Sequence, residues 1–89
     1  MENLPSYAER VEHNLRAELE RTNVLYKQER AHFKSVTREV PSGIPYPDSV
    51  MKITQAAERH NHAIDAYMAA LRRFNDYVIR GIIPGDLKP

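Results

Sequence analysis

The chain has 89 residues, with 13 Lys and Arg against 12 Asp and Glu, a net charge of +1, and 42% hydrophobic residues. That length is one domain, and that balance of apolar and charged residues belongs to a folded chain and not to a disordered one. Both charge signs are interspersed with no basic block, which points away from nucleic acid and anionic membranes, and the lack of cysteine removes disulfides, zinc–thiolate sites and thiol catalysis together.

Met1-Glu2-Asn3-Leu4 lacks the basic segment and apolar run of a cleaved export signal. Apolar runs are only a few residues long, far short of the ~20 that cross a bilayer. The expected location is the cytoplasm, with export needing no cleaved signal as the alternative.

Ser6-Tyr7-Ala8-Glu9 has the S-x-x-E form of a capping box, so a helix is expected to start at Ser6. From there to Glu39 the chain contains no Gly or Pro, and strong helix formers dominate, as in Arg16-Ala17-Glu18-Leu19-Glu20. Its apolar stripe runs through Val11, Leu15, Leu19, Leu25, Tyr26, Phe33, Val36 and Val40, with Thr22 and Glu29 where the stripe would continue. Recurrences at eleven residues, as in Leu4, Leu15 and Tyr26, suit a nearly straight helix.

Pro41-Ser42-Gly43-Ile44-Pro45-Tyr46-Pro47 cannot continue a helix, because proline fixes φ, removes a donor and restricts the residue before it. This is the expected turn of a hairpin, with Ile44 and Tyr46 covering the end of the bundle. A second helix is expected from Asp48, either capped by Asp48 or Ser49 or carrying Pro47 at its first position. It is expected to stop at Arg80, where Gly81 can take the left-handed conformation and Pro84 prevents resumption.

Within that second helix Val50, Ile53, Ala57, His60, Ile64, Tyr67, Leu71, Phe74 and Val78 alternate steps of three and four, the a/d pattern of a helix packed lengthwise on others. Two helices of about 34 residues, roughly 50 Å each, joined by a short turn must lie antiparallel, with facing residues summing to about 87. The fold expected is therefore all-α: one antiparallel two-helix hairpin over residues 1–89, with helix 6–39, turn 40–47, helix 48–80 and tail 81–89. The expected hairpin core is Leu15, Leu19, Tyr26, Phe33, Ile53, His60, Ile64, Tyr67, Leu71, Phe74 and Val78. Ile82, Ile83 and Leu87 in the tail are expected to fold over the open end against Leu4 and Tyr7.

With Val50 at heptad position a, Ala56, Ala63, Ala70 and Tyr77 fall at g, and Met68 at e. The apolar surface is then wider than one a/d seam, while a two-helix core is thin. A homodimer forming a four-helix bundle is expected, with Ala56, Ala63, Met68, Ala70 and Tyr77 at its interface.

No catalytic residue, cofactor or metal is expected. Serine and threonine come without a nucleophile motif, and no Gly-rich loop follows a strand. Glu29-Arg30-Ala31-His32 has the Glu-x-x-His spacing of carboxylate-bridged metal bundles, and Glu58 faces Glu29 by the same sum rule. Glu58 sits at b, however, so Glu29, His32 and Glu58 read more readily as a solvated charged face. His60, at d between Ala57 and Ile64, reads as a core residue that fixes helix register. Arg72-Arg73 with Phe74 and Tyr77 reads as core plus exposed rim and not as a nucleic-acid contact.

In outline, the length, the absence of Cys and the expected dimer of helical hairpins resemble the small WXG-type helical hairpins of specialised bacterial secretion. The resemblance is architectural, since the turn reads Ser42-Gly43-Ile44-Pro45 and the chain has no Trp, and it implies a dimerising secreted hairpin with no site residue carried over. The function expected is a non-enzymatic protein–protein interaction or scaffold module. The alternatives are a ferritin-like metal-binding half-bundle and a secreted hairpin.

Overall fold

The computed structural model describes residues 6–39 and 47–88. Two helices make up nearly all of it, α1 over Tyr7–Glu39 and α2 over Pro47–Arg80. They pack against each other along their length, and no strand occurs among the described residues. Tyr26 lies beside His60, Glu29 bonds Arg59 and Arg16 covers Phe74, so facing residues sum to 86, 88 and 90. The hairpin is antiparallel, in a register close to the one expected.

The helix ends follow local chemistry. The Glu9 N–H donates to Ser6 Oγ at 3.1 Å, which places Ser6 as the cap of α1. At the other end of the pair Pro47 is the first residue of α2, where its missing N–H costs nothing. Gly81 has φ +69°, a left-handed conformation that stops α2. There the N–H of Gly81 donates to Tyr77 O at 2.9 Å and that of Ile82 to Asp76 O at 3.2 Å, satisfying carbonyls of the last turn. The expected roles of Leu4, Ile44 and Tyr46, and the turn at 40–46, lie outside the described residues.

The tail does fold back on the helices. A single 3₁₀ turn at Gly85–Leu87 brings the Leu87 carbonyl to the Tyr7 hydroxyl, which donates to it at 2.7 Å. Beside it, Arg73 donates to both oxygens of Asp86 at 2.9 and 3.0 Å and pairs with Glu18 of α1 at 3.4 Å. One guanidinium thus ties α2, α1 and the tail together, a use that suits its planar fork. Ile83 and Leu87 are half-buried, while Ile82 stays exposed.

Where the core sits differs from expectation. Ala56, Ala63 and Ala70 are 1%, 3% and 1% exposed, and they line the centre of the seam against α1. The opposing row on α1 is Leu15, Thr22, Glu29 and Val36, spaced by seven, with Val11 buried beside it. The a/d residues of α2 lie to one side of this line: Ile53, His60, Ile64, Tyr67, Leu71 and Phe74 are only half-buried. Val78, expected in the core, is exposed. The physical reason is size: small side chains at the centre let two backbones approach closely, and rings too large for the centre lie alongside it.

Thr22 can occupy the seam because its hydroxyl bonds the Glu18 and Leu19 carbonyls of its own helix at 2.9 and 3.0 Å. Among the described residues no helix is long and apolar enough to cross a membrane.

Candidate functional site

The two long sides of the hairpin are unlike. One is polar, where the c row of α2 meets α1: Arg59 pairs with Glu29 and Arg73 with Glu18 and Asp86. The other side carries a ladder of rings. Tyr67 stacks on Tyr26 at 5.8 Å between centroids, Tyr26 on His60 at 5.8 Å, and His60 on Phe33 at 5.6 Å. The rungs alternate between α2 and α1, so each ring locks the register of the one before it, with stacked pairs worth ~0.5–1.5 kcal/mol beyond burial. The ladder continues toward the open end in Phe74, with the Arg16 guanidinium 5.2 Å from its centroid.

Beyond the ladder the apolar surface continues round α2 and not round α1. The a row of α2 adjoins the ring row, and its Ala57, Ile64 and Leu71 are half-exposed. At the ends of that row Val50 and Val78 are 48% and 57% exposed, and on the e and b rows facing away from α1 the exposed Met51, Met68 and Ile79 stand among the exposed polar residues Thr54, Asn61, Asn75, Glu58, Asp65 and Arg72. The matching row of α1 is Arg16, Asn23, Arg30 and Thr37, which is polar throughout. Val24 and Leu25 are also exposed, but they lie on other sides of α1 and join no stripe. The candidate site is therefore the ring side of the hairpin together with the outer arc of α2, whose exposed apolar side chains have no partner among the described residues.

The residues expected at a dimer interface separate accordingly. Ala56, Ala63 and Ala70 are buried inside one chain by α1 and are not free to meet a second one. Tyr77 is half-buried, and its hydroxyl donates to the Ala8 carbonyl at 3.0 Å, closing the open end of the hairpin. Met68 alone of the five is exposed. The g row forms the inner seam, the d row flanks it against the rings of α1, and the a row lies further out.

Glu29, His32 and Glu58 are not brought together. Glu29 is buried in the seam with its Oε1 accepting from Arg59 Nη2 at 2.8 Å, while His32 and Glu58 are exposed. No group of three or more His, Cys, Asp or Glu side chains able to hold a metal ion occurs among the described residues. His60 is half-buried between the Tyr26 and Phe33 rings with its Nε2 buried and unpartnered. It holds register by stacking and not by a hydrogen bond.

Sequence reasoning put Glu29 where the stripe of α1 would continue but still read it, with His32 and Glu58, as a solvated charged face; Arg59 at the facing number was the unused signal that the carboxylate is buried with a partner. It also missed Arg73 as the tie between helices and tail. Compared with protein-family models, curated proteins and solved structures, the chain matches none of them.

Proposed function

We propose that this chain is a non-enzymatic protein–protein interaction or scaffold module of the cytoplasm that works as a homodimer, two hairpins joining into a four-helix bundle. The observation that carries this is the outer arc of α2, where five large apolar side chains stand about half or more exposed among polar ones beside a half-buried ring ladder. A helix whose apolar arc exceeds what one neighbour covers has the pattern of a helix with two neighbours. The polar ion-paired side of the hairpin then faces solvent, and the interaction is made by shape and burial, with no group asked to do chemistry.

The test is mass in solution. Sedimentation equilibrium at micromolar concentrations is expected to return twice the chain mass, and Met68→Lys is expected to shift the protein toward monomer by placing a charge in the contact. A stably helical monomer at those concentrations would overturn the proposal.

A further inference from the structure

We infer that the outward side of α1, in its second half, is a docking track for a short acidic segment of another protein. It lies on a different face from the outer arc of α2 and holds whether or not two hairpins associate.

Between Asn23 and Arg38 the only acid is Glu29, which is buried in the seam with Arg59 on it. Lys27 and Lys34 each stand two positions before a seam residue, and Ala31 and Arg38 two positions after one. Two positions are more than half a helical turn, so these four point away from α2. Arg30 stands beside them, and Lys27, Arg30, Ala31 and Lys34 line a shallow groove. Every one of these side chains is exposed. The cations recur at steps of three, four and four, so the helix gathers on one side what the residue order disperses.

That arrangement costs the helix. Cations three or four positions apart repel, and none of Lys27, Arg30, Lys34 and Arg38 has an acid at those distances along the chain. None of them is in an ion pair among the described residues, whereas in the first half of α1 Arg16 bonds Glu12, four positions earlier, at 3.0 Å. One helix thus pairs its charges in one half and leaves four uncompensated in the other, the pattern of a surface completed by an outside anion.

The length and surroundings of the track choose the anion. From Lys27 to Arg38 it runs roughly 16 Å. Toward the open end the charge turns mixed, with exposed Glu20 on the line of Lys27 and Lys34 and exposed Glu9 on the line of Arg30. A duplex or a bilayer, anionic over a longer span, would meet those carboxylates. The track also has no ring for bases to stack on, and no large apolar side chain between its cations to enter a membrane. A protein segment with three or four carboxylates at helical spacing fits the track alone. An apolar residue beside them would cover Val24, which is 47% exposed on the line of Ala31.

The probe is a fluorescein-labelled, glutamate-rich helical peptide with carboxylates three and four positions apart, read by anisotropy at low and physiological salt. The wild-type chain is expected to bind it, more weakly as salt rises. Lys27→Glu with Lys34→Glu is expected to weaken binding about tenfold or more. Arg72→Glu with Lys88→Glu makes the same change of net charge at exposed positions away from the track and is expected to weaken it under about threefold. Lys34→Glu alone is expected to raise the melting temperature, because it sets an acid four positions from both Arg30 and Arg38.

No binding of the peptide by the wild-type chain, or equal losses in the two double variants, overturns the inference. A lowered melting temperature for Lys34→Glu makes the cations structural and overturns it as well. Tighter binding of a short DNA duplex or of phosphatidylserine vesicles than of the peptide, lost in Lys27→Glu with Lys34→Glu, overturns the acidic protein segment as the partner. Mass in solution bears on none of these outcomes, so the homodimer and this track stand or fall separately.

Discussion

Arg59→Ala and Glu29→Leu remove the same ion pair, and they are expected to change stability in opposite directions. The Glu29 side chain is 10% exposed at the centre of the seam, and that of Arg59 is 61% exposed at its edge. One carboxylate oxygen accepts from Arg59 at 2.8 Å, and the other is buried without a partner. Taking away the arginine releases little buried surface but leaves the carboxylate among the seam residues with no cation. Breaking a fully buried pair in this way costs about 3–5 kcal/mol, and an orphaned buried acceptor about 1–3 kcal/mol. With one partner already wet, Arg59→Ala is expected to cost about 2–3 kcal/mol. Glu29→Leu removes the charge, its unpartnered oxygen and its desolvation together, and leaves a side chain of similar volume between Thr22 and Val36. It is expected to raise stability by about 1 kcal/mol or more. Adding Arg59→Ala to Glu29→Leu should then cost under about 0.5 kcal/mol, as for an ordinary surface change. Urea unfolding followed by helical circular dichroism measures all three, at one fixed protein concentration so that any association shifts each midpoint alike. Equal destabilisation by Glu29→Leu and Arg59→Ala would refute the reasoning, because the carboxylate would then be a net contributor and not a desolvated burden.

Four further outcomes are expected. Ala63→Leu forces a large side chain into the tightest part of the seam and should lower stability by about 1–3 kcal/mol in the same assay, whereas an outward-facing residue there would leave it unchanged or raise it. Gly81→Ala meets no atom within 4 Å, so its cost is backbone alone, about 1–2 kcal/mol for a left-handed residue with a Cβ, read as a lower melting temperature. His60→Phe keeps both ring stacks and removes a buried nitrogen without a partner, and thermal unfolding should show equal or greater stability. The hydrogen bonds from Arg73 hold the Asp86 carboxyl below the usual carboxylate range. Because its folded value is lowered, the stabilisation is complete above the ordinary aspartate value, about 4, and is lost as pH falls through the lowered one. The amide signals of Leu87 and Lys88 should therefore shift on acidification below about pH 4, and Asp86→Asn should abolish that transition.

Much of this was legible in the residue order because it is local chemistry. Ser6 reads as a cap and is one; Pro47 opens α2 and Gly81 closes it, each for a reason contained within a few residues. The fold-back of the tail onto Tyr7 was legible too, from three apolar residues after a helix stop. The site was legible only as composition. That α2 has more apolar surface than one neighbour covers can be counted from its heptads, but which rows lie inside cannot. A strong a/d repeat draws the eye to Ile53, His60, Tyr67 and Phe74 as the seam, and a row of alanines looks like spare surface.

The residues taken by themselves determined two helices, their ends and their antiparallel register, since capping, proline geometry and loop length act over short distances along the chain. Only the packed pair decided the rotation of α2 about its own axis. That rotation depends on the size of the side chains opposite it: Leu15, Glu29 and Val36 of α1 seat against alanines, while Tyr26 and Phe33 need His60 and Tyr67 beside them to stack. Turning α2 so that its alanines face inward is what leaves Val50, Met68 and Val78 facing out.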